Sequence, residues 1–531
     1  MRITGFYPNR GYFRPGTEAE FLLELSLNRA EEIAIEIEII NLVEVVFSQS
    51  QSFNLEAGEH KIPIRWATLL IPQKGYGIKV KIFKLGTNQL LGSVSTAFDV
   101  LTNWTDFPRY GYLCDFQKDR PDPFTSLCAL LPFHINGLQF YDWQYRHDQL
   151  VSPTDFFIDP LGRELSLPVI KELIQSAHQY GMAALAYLAV YAASSEFWEE
   201  HKIWGMFDAK GTPYTFEDFL GLMDPSPGSP WALHLLDRCD QVEYDLDFDG
   251  FHVDQYGEPK QAFCSTGKEI DLPNAFVAFI NTLKERFSKT TVLFNAVGNW
   301  PIEALANSNQ DFNYIEIWPP TPSYSEIEKI VIGARKKSGN KPVVIAQYLH
   351  ADQLANIQLS NSIILACGGT RIELGEQARL LADPYFPKHE KMSSELANHI
   401  RKTSDFVVRY GELLGPTAKN IKPLINEVPE DLKVICRETR NHRIINLINM
   451  RGLADQMWTE KHSAPTPLEK FHIETELSQQ IKKIWWASPD ADQIDLLPCN
   501  YRTEGLKVSI DIPILHYWVM IVIELLNMES Y

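Results

Sequence analysis

Apolar and polar residues alternate with a period of two near the start of the chain. Ile33, Ile35, Ile37 and Ile39 are separated by Ala34, Glu36 and Glu38, and Phe21, Leu23, Leu25 and Leu27 follow the same rule. That period turns one set of side chains toward a core and the other toward water, as in half-buried strands. Tyr76 to Phe83 predicts another strand, with Pro15-Gly16 and Lys74-Gly75 as turns. Residues 1–103 are therefore expected to form an immunoglobulin-like β-sandwich.

From about residue 108 short apolar strands alternate with helical stretches. Strands are predicted over 110–113, 137–141, 183–187, 250–254, 291–295, 314–317, 342–347 and 370–373. Helices are predicted over 167–180, 272–287 and 325–338, the first and last stopping at Gly181 and Gly339. Eight strands over roughly 270 residues match a (β/α)8 TIM barrel, expected over 104–414. A doubly wound sheet also alternates, but no G-x-G-x-x-G turn follows the first strand. Strand patterns return later. They cover 443–450 and 484–487, and Val508, Ile510 and Ile512 alternate with Lys507, Ser509 and Asp511 before an apolar run over 516–526. A C-terminal antiparallel β domain is expected over 415–531, with linkers over 102–108 and 413–423.

Composition narrows the partners. The 531 residues are 45% hydrophobic and 12% aromatic, enough for large globular cores. A net charge of −19 argues against a nucleic-acid backbone or an anionic membrane as partner, and suits a neutral ligand such as a sugar. Seven cysteines, an odd number without a C-x-x-C pair, suggest free thiols in a reducing compartment. The first ten residues hold no apolar signal-peptide core, and the run 518–523 is too short to span a bilayer. A cytoplasmic protein is expected, or a secreted one should a leader precede this sequence.

Two strands deliver a carboxylate to their own ends: Gly250-Phe251-His252-Val253-Asp254 stops before Gly257, and Tyr314-Ile315-Glu316 runs into Ile317-Trp318-Pro319. In a barrel these ends face the active site. A lone strand-end acid is more often a helix or turn cap than a catalyst; two of them, both beside aromatics, put the acid pair of a glycoside hydrolase on an equal footing with that reading. The apolar setting of Glu316 would raise its pKa, while His252 and Gln255 would supply donors that keep Asp254 charged. Asp142, beside Tyr141 and Trp143, either caps a turn or binds hydroxyls. Tyr187 and Tyr191 either pack in the core or touch sugar, and Asn295, before Trp300, either meets a hydroxyl or the neighbouring acid. Glu373 either binds hydroxyls or pairs with Arg371. Tyr141, Asp142, Tyr187, His252, Asn295, Trp318 and Glu373 make the candidate substrate-binding set. Asp245-x-Asp247-x-Asp249-Gly250 opens like an EF-hand loop, but its twelfth position is Tyr256 instead of glutamate, so EF-hand calcium is rejected. No H-E-x-x-H, spaced His/Cys cluster or G-x-S-x-G occurs, and no metal or cofactor is expected.

These segments resemble glycoside hydrolase family 66, the endo-dextranases and cycloisomaltooligosaccharide glucanotransferases. The similar stretches are Pro108-Arg109-Tyr110-Gly111, Ile135 through Trp143 with Arg146-His147, Met223-Asp224-Pro225, Gly250 through Gln255, and Glu316-Ile317-Trp318. Glu373-Leu374-Gly375-Glu376 and Asp383-Pro384-Tyr385-Phe386-Pro387 continue the likeness. The resemblance implies cleavage of α-1,6-glucosidic bonds in dextran or isomalto-oligosaccharides with retention of configuration. It makes Asp254 the nucleophile and Glu316 the general acid/base. Its glucanotransferases carry a carbohydrate-binding module late in the barrel. The short step from Gln347 to a helix near Asp352 leaves no room for one, which favours a hydrolase over a transglycosylase making cyclic or longer products. A non-catalytic carbohydrate-binding protein is disfavoured by the retention of both acids.

Overall fold

The computed structural model describes the chain apart from residues 70, 218, 320, 322, 384–388, 424, 430 and 527–531. Pro384, Tyr385, Phe386 and Pro387 of the last motif thus lie outside the described residues.

The N-terminal region packs two antiparallel sheets. Arg2–Pro8, Glu18–Leu27 and Gly58–Ala67 form one; Glu44–Leu55, Glu31–Asn41, Lys74–Lys84 and Leu90–Val100, in that spatial order, form the other. The alternation does its work here: Phe21, Leu23, Ile33, Ile35 and Ile37 are all buried in one shared core. Lys74-Gly75, expected as a turn, instead opens a strand. Gly75 is needed there for close packing, because a Cβ would fall 2.2 Å from the Val408 carbonyl oxygen.

Eight parallel strands follow: β1 (Tyr110–Leu113), β2 (Gly137–Phe140), β3 (Ala183–Ala189), β4 (Gly250–Asp254), β5 (Thr291–Val297), β6 (Asn313–Glu316), β7 (Val343–Ala346) and β8 (Thr370–Ile372). Each pairs in parallel with the next. Beyond a break at Glu373, Leu374–Gly375 pairs in parallel with β1 through Gly375 and Tyr112, and two antiparallel strands, Arg379–Leu381 and His389–Glu390, complete a curled eleven-stranded sheet. Helices connect or follow the strands: α1 (Pro123–Cys128), α2 (Leu167–Gln179), α3 (Pro230–Asp245), α4 (Leu272–Arg286), α5 (Tyr324–Lys337), α6 (Leu354–Ala366) and α7 (Ser394–Arg409). The sequence starts them with side-chain caps: Ser229 and Asp271 accept backbone N–H bonds ahead of a first-turn proline, and Ser323 and Glu326 cap each other reciprocally. Helix α6 has no single apolar face because it is buried nearly all round, and its polar side chains bond inward: Asn356 donates to the Trp458 carbonyl.

The expected linkers are ordered and packed. Trp104, within 102–108, is buried against Tyr110 and Phe312 at the strands' amino ends, with ring centroids at 6.0 and 5.5 Å. The stretch 413–423 contributes to the short helix Gly411–Leu414 and the strand Lys419–Ile421. Apolar linker residues are the reason: a tryptophan or leucine left in water forgoes about 2 kcal/mol of burial. The C-terminal region has a six-stranded and a four-stranded antiparallel sheet. Its strand Trp518–Leu525 is apolar throughout because alternate residues enter different cores: Trp518, Met520 and Val522 face the central sheet's helices, and Val519, Ile521 and Ile523 face the second sheet. Among the described residues no disulfide joins the seven cysteines. Among the described residues no helix is long and apolar enough to cross a membrane.

Candidate active site

A cavity of about 1100 Å³ opens at the carboxyl ends of the parallel strands. Alternation along each strand decides what enters it. Val253 and Ile315 are fully buried in the surrounding core, while their neighbours His252, Asp254, Tyr314 and Glu316 line the cavity. Register stacks these side chains in layers, with Tyr187 opposite His252 and Asn295 opposite Tyr314.

Asp254 and Glu316 meet across one amide. Asn295 Nδ2 donates to Asp254 Oδ1 at 2.8 Å and to Glu316 Oε2 at 2.9 Å. One nitrogen at 2.8 and 2.9 Å from the two acceptor oxygens keeps those oxygens no more than 5.7 Å apart. Each acid also accepts from a phenol: Tyr187 Oη gives to Asp254 Oδ2 at 2.8 Å, and Tyr348 Oη gives to Glu316 Oε1 at 2.5 Å.

Burial raises both acids. Asp254 is pushed up to about 7, first by desolvation and then by the charge of Glu316, against the pull of Tyr187, Asn295 and the Gln255 backbone N–H. Glu316 is raised by desolvation, against Tyr348 and Asn295. The expected contrast, a charged Asp254 beside a protonated Glu316, is therefore not built into the free site. Burial instead holds both carboxyls toward their protonated forms.

His252 does not donate to Asp254. It lies one layer below, its Nδ1 3.2 Å from Tyr110 Oη and its ring 4.6 Å from that of Tyr314, and desolvation lowers its pKa to about 3, so it is neutral. Tyr141 and Tyr187 pack at 4.8 Å between ring centroids, and Trp318 and Tyr348 at 5.5 Å. Asp142 sits in a left-handed turn with φ 48°, its carbonyl held by Arg163 at 2.9 Å. Its carboxyl lines the cavity and burial pushes it up to about 6. Tyr191, Phe216 and Phe219 supply apolar walls, and Glu258 and Lys260 a polar edge.

Glu373 is the departure from the candidate set. It lines no part of this cavity, because the break after β8 turns it toward α6, where Arg371 Nη1 donates to it at 2.8 Å and Asn361 at 3.2 Å. Sequence reasoning missed Tyr348. It stands two residues beyond the end of β7, and an aromatic so close to a strand terminus was the available signal. Asp249 of the rejected calcium motif accepts from His178 Nε2 at 2.8 Å and from the Ala184 N–H at 2.7 Å, tying α2 to β3. Among the described residues no group of three or more His, Cys, Asp or Glu is placed to hold a metal ion.

Curated relatives include a cycloisomaltooligosaccharide glucanotransferase of Niallia circulans, 23% identical over 704 residues, covering 98% of this chain and 72% of the relative. A dextranase of Streptococcus salivarius is 20% identical over 523 residues, covering 82% of this chain and 63% of the relative. Among solved structures, a Paenibacillus sp. cycloisomaltooligosaccharide glucanotransferase complexed with cycloisomaltoheptaose superposes with a TM-score of 0.91 at 20% identity, covering 98% of this chain and 99% of that one, which establishes a shared fold. The sequence profile of glycosyl hydrolase family 66 matches residues 8–522, nearly the whole length, and the chain belongs to that family of enzymes.

Proposed function

We propose that the chain is a retaining glycoside hydrolase cleaving the α-1,6-glucosidic linkages of dextran or isomalto-oligosaccharides. The observation that carries this is the Asn295 bridge, which keeps one oxygen of each buried carboxyl within 5.7 Å of the other; retaining pairs stand about 5–5.5 Å apart and inverting pairs about 6.5–9.5 Å. Asp254 attacks the anomeric carbon once its proton has left. Glu316 protonates the departing oxygen, then takes a proton from the incoming water to release the sugar from Asp254. Tyr187 and Asn295 hold the attacking carboxylate, while Tyr141, Asp142, His252 and Trp318 line the space for the sugar.

The scaffold in this reading is a (β/α)8 barrel over 104–414, flanked by an immunoglobulin-like sandwich over 1–103 and a β domain over 415–531. Pairing of Gly375 with Tyr112 supports closure between the last strand and the first. Hydrolysis is favoured over transfer by the seven-residue step from Ala346 to Leu354, too short for an inserted module. Transfer to a sugar acceptor is the second reading, favoured by the relatives named as glucanotransferases.

The test is incubation with linear dextran, followed by reducing-end measurement and product sizing. New reducing ends with shorter products are expected, and products longer than a short substrate would establish transfer instead. Asp254→Ala is expected to lose about 10⁴-fold or more in turnover. Glu316→Gln is expected to slow dextran far more than an activated aryl glucoside, whose leaving group needs little protonation. Full activity in Asp254→Ala rejects the assignment.

A further inference from the structure

A second cavity, of about 450 Å³, shares no lining residue with the first. Three distant segments build it: the 41–44 turn of the N-terminal region, the short helix Gly411–Leu414, and the 439–442 turn with neighbouring strands of the C-terminal sheet. Its size falls within the range of about 300–1,000 Å³ typical of small-ligand sites.

Its chemistry is specific. Trp485 lines it, half-buried, with Lys483 Nζ 4.2 Å from the ring centroid. Asn441 Oδ1 is buried there without a hydrogen-bond partner, and an unmet acceptor at a cavity wall costs about 1–3 kcal/mol until a donor arrives. Asn41 Nδ2 donates to the Gly75 carbonyl at 3.0 Å, fixing that amide beside the same space. The charges are largely neutralised: Lys74 pairs with Glu412, and Lys482 meets Glu524 at 2.7 Å. Glu44, Glu412 and Glu524 line the cavity against Lys74 and Arg440, and with Lys74 and Lys482 committed to Glu412 and Glu524 no cluster of unpaired bases is left to clamp an anion. Burial holds His442 below its ordinary pKa, hence neutral. An indole surface ringed by planar amide and carboxyl groups is instead the environment that a neutral polyol ring requires, an apolar face with hydroxyls around its edge.

We propose that this cavity is a second saccharide-binding site, holding one or two glucose units of the glucan at a place remote from the reacting acids. The identity of the sugar rests on the function proposed above. The consequence is bivalence: a long glucan held at the second site raises its own concentration at the first, whereas a short oligosaccharide cannot engage both.

The test compares the parent with Trp485→Ala and Asn441→Ala by electrophoresis through native gels containing dextran, with Asp254→Ala in every chain so that the gel stays intact. Both variants are expected to be retarded less, with apparent dextran affinity about tenfold weaker. With Asp254 restored, both should turn over a short isomalto-oligosaccharide at the parent rate and show a raised KM for dextran alone. Asn441→Ala removes an amide from a surface turn, so it decides the matter should Trp485→Ala lower the melting temperature. Retardation equal to the parent in a folded variant, with dextran cleavage intact, overturns the second site alone. A parent that neither binds nor cleaves dextran overturns both readings.

Discussion

At the scale of single residues, the site is organised around Asn295. One side-chain amide satisfies both acids, and each acid then has one phenol of its own. A donor to a carboxylate stabilises its charged form and lowers its pKa. Tyr187→Phe is therefore expected to raise the pKa of Asp254 and move the acidic limb of the kcat/KM profile to higher pH by about half to one unit. Tyr348→Phe should move the alkaline limb to higher pH through Glu316. Shifts on the opposite limbs would exchange the roles of the two acids. Stability supplies an independent reading. The folded pKa of Asp254 is about 7, above an ordinary aspartate, so the folded state binds more protons between roughly pH 4 and 7 and loses stability as pH rises through that window. Asp254→Asn removes the buried charge and is expected to be about 2 kcal/mol more stable than the parent at pH 8, with the gain vanishing near pH 4. Melting curves that keep a constant separation across that range would remove the buried charge as the cause. Both acids were legible in the sequence because each ends an apolar strand. Their phenol partners were not, since Tyr187 reaches Asp254 from the adjacent strand and Tyr348 lies past the end of its own.

At the scale of elements, periodicity located all eight parallel strands and three of the helices to within a residue or two, because those segments have a single buried pattern to satisfy. It failed where a residue's role depends on a distant neighbour. Lys74-Gly75 has the composition of a turn, yet Gly75 serves as a flat surface for the Val408 and Arg409 backbone of α7. Glu373 has the position of a site residue, yet the break in β8 redirects it to Arg371. Gly250 is the converse case, a glycine whose reason lies in packing between strands. A Cβ there would fall 1.9 Å from the Thr291 carbonyl oxygen, so β4 and β5 approach as closely as they do only without one. Gly250→Ala must separate these strands at their amino ends, and overpacking of this kind costs about 1–3 kcal/mol. The same displacement runs along β4 toward Asp254 and along β5 toward Asn295. A loss in kcat is expected together with a lower urea midpoint, and unchanged values of both would show that the sheet relaxes without cost.

At the scale of the whole molecule, the N-terminal sheets are fastened to the central sheet by buried polar groups that no local pattern announces. Arg109, just ahead of β1, makes a two-pronged bond to Asp99 with distances of 2.7 and 3.1 Å, and donates to the carbonyls of Gly11, Phe107 and His134. Asp405 on α7 accepts from Thr96 Oγ1 at 2.9 Å and from the Ala97 N–H at 3.1 Å, and meets His134 Nε2 at 2.8 Å. The sequence places an arginine and an aspartate on either side of an apparent linker and says nothing of their contact, because the pairing is decided by how two layers of the fold dock. Their energetics are asymmetric. A buried ion pair adds little net stability over a well-packed apolar pair, but removing one partner strands the other, at about 3–5 kcal/mol. Asp99→Ala leaves the Arg109 guanidinium buried with only carbonyl acceptors, so the damage falls on the junction between the layers and not on either core. The expected result is a split transition: the N-terminal sheets unfold at lower temperature, while the central sheet and its acid pair melt near the parental midpoint and retain catalytic turnover. Calorimetry of Asp99→Ala against the parent reads this directly. A single transition shifted as a whole would mean that the apolar contacts of Gly75 and Trp104 suffice to keep the two layers one cooperative unit, with the ion pair fixing orientation alone.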